Sequence, residues 1–250
     1  MQAYLTLVRR ELGMYFNSFT GYAVIGAVLL VLGFSFVDVL YKLNGAPTSA
    51  PLGEVFCNTF YFWVILVVTA PVITMRSYAA ERFSGTYETL MTTPVSDVQV
   101  VLAKYSGTML FYALTWLPLL LCLLVIQRFT DGQVAFDLAT ALSTYVGILV
   151  IGSAFMAMGG LASAVTQSQV LAAILAFGFC AVLFVLGLRN LVPVPSETWS
   201  APVFRHIAMT EHMELFARGV VDSRPVIYYG SLTALFLFLT LKVVESRRWR

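Results

Sequence analysis

Long apolar runs separated by short polar segments dominate the chain. Six runs, at about 21–43, 57–76, 106–127, 140–165, 169–190 and 226–244, approach the ~20 residues that cross ~30 Å of hydrocarbon. Backbone groups in lipid have no water to bond, so each run is predicted as a helix that satisfies them internally. The fold class that follows is an all-α polytopic membrane protein with six spans. The fourth and fifth runs are parted by little more than Gln167, Ser168 and Gln169, which predicts a tight antiparallel hairpin. Ahead of the spans, residues 2–19 place Leu5, Val8, Leu12, Tyr15, Phe16 and Phe19 on one helical face and Thr6, Arg10 and Asn17 opposite. That pattern suits a helix lying in the membrane interface, with Arg9 and Arg10 among headgroups. An ordinary first helix packed on the others fits it as well.

Two connections are longer than six spans require. The first, about 76–105, is polar; the second, about 191–225, opens with Pro193 and Pro195 and then offers Phe204, Ile207, Leu215, Phe216 and Val220 among charges. Loops of that length carry structure of their own. The second is predicted as one or two short helices dipping toward the membrane from outside. The whole reads as a single domain over 1–250: an interface helix to residue 20, five spans over 21–190, the outer loop over 191–225, the sixth span over 226–244 and a tail over 245–250.

Composition agrees with lipid as the main solvent. Of 250 residues, 59% are hydrophobic and 11% charged, against about 25% charged in soluble domains; mean hydropathy is +0.84. A net charge of +2 gives no reason to expect a nucleic-acid partner. Position matters more than the sum. With the amino terminus inside, nine of the 15 Lys and Arg residues fall on inner segments, including Arg9, Arg10, Arg76, Arg82, Lys104 and the closing Arg247, Arg248 and Arg250. This predicts both termini in the cytoplasm of a cell with a bacterial inner membrane. Residues 1–20 hold Arg9, Arg10 and Glu11 and lack an apolar segment with a small-residue cleavage site, so no cleaved signal peptide is predicted. Cys57, Cys122 and Cys180 sit inside apolar runs and read as packing thiols.

Residues that could carry chemistry are few. The chain has no Gly-Lys pair, hence no phosphate-binding loop of the G-x-x-x-x-G-K-[ST] type, and no H-E-x-x-H. His206 and His212 are spaced poorly for a shared ligand face, so no metal is expected. Asp38 is the one acid within a predicted span; it lies toward the outer end, where it either lines a path or simply marks a helix end. Ser153 with Ala157, Gly159 with Ser163 and Gly160 with Ala164 would let another helix approach the fourth span closely. Pro71 and Pro118 are predicted kinks.

The polar segment after the second span is the informative one. Thr86 is a candidate N-cap, Glu88 suits the first-turn dipole, Leu90 and Met91 offer apolar contact, and Pro94 stops the helix. The reading is a short, self-terminating helix beside the membrane, either a docking element or a linker.

Here the sequence resembles the ABC-2 family of transporter permeases: Glu81, Gly85 and Thr86, Glu88, Leu90, Pro94, Val95 and Ser96, then Lys104, match the family's signature between its second and third spans. Topology and length agree along nearly the whole chain. The stretch from His212 to Trp249 is similar to the gliding-motility-associated permeases, with nitrous-oxide-reductase maturation permeases as looser relatives. The resemblance implies a translocation subunit without catalytic residues, in an exporter whose ATP and magnesium are bound by a separate ABC ATPase; this chain itself would hold no cofactor. It implies a coupling helix with Glu81, Gly85, Thr86, Glu88, Leu90 and Pro94 docked on that ATPase. Implied partners are the ATPase, a second permease copy (identical or homologous), membrane lipids and an extracytoplasmic accessory protein. A secondary transporter using Asp38, and a module that transmits force to a partner protein, remain the alternatives.

Overall fold

A computed structural model describes residues 2–45, 51–86, 95–129, 137–188 and 207–248. Among them there are helices and no strands. In chain order they are α1 (Gln2–Phe16), α2 (Phe19–Gly45), α3 (Leu52–Cys57), α4 (Phe60–Thr74), α5 (Ala79–Phe83), α6 (Asp97–Phe129), α7 (Leu138–Val165), α8 (Gln169–Leu188), α9 (Met209–Ala217) and α10 (Ser223–Arg248). Six of these (α2, α4 with its extension through α5, α6, α7, α8 and α10) are long and apolar enough to cross a membrane. An even number of spans brings α1 and the end of α10 to one end of the bundle, called here the terminal end; α3 and α9 lie at the far end.

The spans fall where the apolar runs predict them, with shifted edges. The second begins at Phe60 rather than 57, because Thr59 caps it by accepting from the Phe62 amide. The apolar residues just before that cap form the separate short helix α3. Thr59 is also fixed laterally, its hydroxyl 2.7 Å from that of Ser35 on α2. The third span extends back to Asp97, nine residues before its predicted start at 106. Pro71 and Pro118 both lie inside their helices. The link between α7 and α8 is as short as predicted, residues 166–168.

Helix α7 is the axis of the bundle. It packs against α4, α6, α8, α9 and α10 and is the most buried of the spans, while α10 is the least. Small residues make this possible. A methyl on Gly152 would sit 2.2 Å from the Tyr112 ring of α6, and one on Gly159 would sit 2.0 Å from the Thr74 hydroxyl of α4. Gly160, also expected to admit a neighbour, has nothing within 4 Å of that position. Ser153 meets α10 through the Thr233 hydroxyl, 3.1 Å away. Trp116, Tyr112, Phe62 and Phe155 fill the middle of the core, with Phe62 and Trp116 edge to face at 5.7 Å. Outward, α2, α8 and α10 expose Leu30, Phe34, Ile174, Val182, Val185, Ile227 and Phe238. That much exposed apolar surface is stable in lipid or against another chain, and not in water.

Helix α1 packs one face on α6. It buries Val8 and Glu11 and exposes Leu5, while Phe19, the first residue of α2, is exposed as well. Tyr15 stacks on Phe111 of α6 at 4.6 Å between ring centres, and Gly107 lets α1 approach until a methyl there would be 2.7 Å from the Glu11 Cβ.

Candidate functional site

At the terminal end, four charged side chains close a ring. Lys104 of α6 donates to Glu11 Oε1 of α1 at 3.0 Å and to the Ser77 carbonyl at 2.7 Å. Its Nζ also lies 2.9 Å from Glu81 Oε2 of α5. Arg10 Nη2 donates to Glu11 Oε1 at 3.1 Å and to Glu81 Oε1 at 2.9 Å. The formal charge of the ring is zero. Lys104 and Glu11 are each about 2% exposed at the side chain, and the ring of Tyr78 lies 5.2 Å from the Lys104 ammonium. Buried charges persist only when paired in this way. Three elements distant in sequence are therefore bound at one point: α1, the segment containing α5, and α6.

Around the ring, α5 is pinned from above. Ser163 of α7 accepts from the amides of Tyr78 at 3.0 Å and Ala79 at 3.1 Å and donates to the Met75 carbonyl at 3.2 Å. Orphan amides at the start of α5 thus find a partner on another helix. Arg82 donates to the Ala164 carbonyl at the end of α7. Arg76 donates to Ser18 and Thr20 at the start of α2. Burial and nearby Glu11 push the Tyr15 phenol up from its usual value, consistent with its hydroxyl donating to the Ile73 carbonyl at 3.0 Å. Helix α5 then ends at Gly85, whose φ of +74° is a left-handed conformation that favours glycine. Ser84 and Thr86 hydroxyls turn back to the Glu81 carbonyl at 3.2 and 3.3 Å.

The residues named from the sequence separate into groups. Glu81 faces inward, engaged by Arg10 and Lys104, and its buried carboxylate joins elements of its own chain. Gly85 and Thr86 are exposed at the terminal end. Glu88, Leu90 and Pro94 lie outside the described residues. Arg9 is exposed, whereas Arg10 belongs to the ring. Asp38 pairs with Lys42 one turn on, at 3.1 Å, on an exposed part of α2, and does not line the large cavity between α4 and α8. Glu11 and Lys104 were the residues whose role the sequence hid. The clue to Glu11 is its place three residues after Val8, on the buried stripe of α1.

The far end has its own lock. Arg218 donates twice to Glu54 of α3, both at 3.0 Å, and also to Glu214 of α9. Phe216 lies over Gly147 of α7, while Gly219 lies beside Thr140, about 10 Å nearer the start of α7. Helix α9 therefore runs along the bundle beside α7, with Met209, Met213, Phe216 and Ala217 buried. The part of that loop over 191–206 lies outside the described residues.

No curated protein matches the sequence. A family model described as ABC-2 family transporter protein matches residues 10–216, a span that begins in the charge ring and ends in α9. With six apolar helices and a match over most of its length, the chain is a multi-pass membrane protein that belongs to the ABC-2 transporter family.

Proposed function

We propose that the chain is the membrane-spanning subunit of an ATP-driven exporter, working with a separate ABC ATPase and a second permease copy. The observation that carries this reading is the charge ring. A segment that receives movement from an ATPase must pass it to the spans, and the ring fastens α5 to α1 and α6 a few residues before Glu88. In this reading residues 86–94 dock on the ATPase, the terminal end is cytoplasmic, and the basic residues there hold the orientation. ATP-driven closure of the ATPases pulls α5, and through Glu81 and Lys104 the pull reaches α6. The two states of the bundle need differ by only a few kcal/mol for nucleotide to select between them. The resemblance of residues 212–249 to gliding-motility-associated permeases belongs to the same proposal and makes a module that transmits force to a partner protein the second reading.

The test is purification in mild detergent from the native membrane, with mass spectrometry of what co-elutes. The expected result is a P-loop ATPase that is lost on Glu88→Lys. A stable chain that brings no ATPase refutes the proposal.

A further inference from the structure

The two carboxylates of the charge ring share their cations unequally. Glu81 has one on each oxygen, Arg10 at Oε1 and Lys104 at Oε2, both at 2.9 Å. Glu11 takes both on Oε1, Arg10 at 3.1 Å and Lys104 at 3.0 Å. Its Oε2 is buried and finds no donor among the described residues, and the buried Ser77 hydroxyl meets no partner there at hydrogen-bond geometry. Tyr15 stands near Ser77, but its proton goes to the Ile73 carbonyl, so it cannot serve Glu11 as a donor. Glu11 and Ser77 line one cavity of about 70 Å³, enclosed by α1, α2, α4 and α5. Ser18, Thr20 and Arg76 line it as well and are half-buried, whereas Glu11, Ile73 and Ser77 are buried. Water entering from the terminal end therefore passes hydroxyls and a guanidinium before it reaches the carboxylate.

A buried carboxylate oxygen with no donor is costly, and buried polar atoms without a protein partner are where ordered water belongs. At ~30 Å³ for each molecule, the cavity has room for about two. Charge selects against ions. The lining carries Glu11, Glu81 and Arg76, and Arg10 and Lys104 already balance the two carboxylates. A further cation would meet the Arg76 guanidinium without compensation, and an anion would meet Glu11 Oε2. Hydrocarbon offers Glu11 nothing. The chemistry that fits is a small neutral molecule that donates to a carboxylate and exchanges a hydrogen bond with a hydroxyl.

We propose that this cavity is a built water site, in which one molecule donates to Glu11 Oε2 and bonds the Ser77 hydroxyl, and a second links it to Ser18 and Thr20. The water is a fifth member of the charge ring. It ties the start of α2 into a joint whose direct bonds hold only α1, α5 and α6. The site belongs to the ring and stands whether or not an ATPase docks nearby.

The experiment is X-ray radiolysis of the full chain in nanodiscs, where water beside a side chain is split and the hydroxyl radical marks that side chain. Mass spectrometry compares Ile73, which lines the cavity, with Ile151 of α7, which does not; both are buried. Each is normalised to the same residue in the denatured chain. The expected result is several-fold more labelling at Ile73. Equal, low labelling at the two overturns the proposal and makes the cavity dry. Val24→Leu adds a methylene to the lining and should bring Ile73 down toward Ile151; labelling that stays high places the water elsewhere and overturns the proposal. Ser77→Ala gives a test of sign. A hydroxyl bonded to water is missed when removed, so the unfolding midpoint should fall, whereas loss of an unbonded hydroxyl raises it, and a rise overturns the proposal. Exchanging sodium for choline at constant ionic strength should change neither readout; a dependence on sodium overturns the proposal in favour of a bound cation. The comparison of Ile73 with Ile151 needs no variant, so it decides even if a substituted chain fails to fold.

Discussion

Replacing Lys104 with methionine keeps the length of the side chain and removes its charge. Glu11 and Glu81, whose side chains are 2% and 10% exposed, would then share Arg10 alone, itself 43% exposed. Breaking a buried ion pair by removing one partner costs about 3–5 kcal/mol. Partial water access through Arg10 places Lys104→Met near the lower figure, about 3 kcal/mol. Glu11→Gln leaves Lys104 with Glu81 and the Ser77 carbonyl, and a smaller loss of about 2 kcal/mol is expected. Made together, the two changes remove one charge of each sign, so the double variant should fall short of the sum by about 2 kcal/mol. Unfolding in mixed micelles titrated with a denaturing detergent, followed by tryptophan fluorescence, measures all three. Additive losses, or a Lys104→Met variant within about 1 kcal/mol of the unsubstituted chain, would refute the claim that this ring is a tight joint between α1, α5 and α6.

Other consequences can be checked with the same preparation. Gly159→Ala should cost about 1–3 kcal/mol because the new methyl meets Thr74, whereas Gly160→Ala, in open space, should stay within about 1 kcal/mol of the original. Ser163→Ala strips the amides of Tyr78 and Ala79 of their acceptor, and a loss of about 2 kcal/mol is expected together with faster hydrogen exchange at those two amides. Burial pushes the Cys57 thiol up from its usual value, so a water-soluble maleimide at neutral pH should leave it unlabelled in the folded chain and modify it after denaturation. Gly85→Ala forces a side chain into a left-handed turn, at a cost of about 1 kcal/mol. In the exporter reading it should reduce transport per ATP hydrolysed more than it reduces stability.

The spans were legible because each depends on the hydropathy of one continuous run. The long-range joints were not. Lys104 and Glu11 are 93 positions apart, and only the approach of α1 at Gly107 brings them together. Helix α3 was hidden because Leu52–Cys57 is too short a run to register as an element, and its last residue, Cys57, read as the start of the second span; the cap at Thr59 that separates the two helices is a local bond no hydropathy pattern reveals. The cavity beside the ring escaped for a related reason, since α1, α2, α4 and α5 each supply part of its lining. Ser77 looks like an ordinary loop residue until those helices are assembled. Glu81 was visible as part of a motif, but its inward direction was not, because direction follows from which partners surround it.

The central position of α7 has a consequence for synthesis. The chain is made from its amino terminus, and domains begin to pack as they emerge. Helix α7 can meet α4 and α6 at once and α8 soon after, yet the face that receives α10 must wait until the last span is inserted. During that interval Ser153 faces lipid without Thr233. Its hydroxyl already donates to the Val150 carbonyl of its own helix at 2.7 Å, so the waiting face loses packing and no donor is stranded in hydrocarbon. A nascent chain stalled before α10 would therefore remain inserted and still present an unfilled seam along α7, the kind of feature by which a membrane protease could distinguish an unfinished subunit from a finished one.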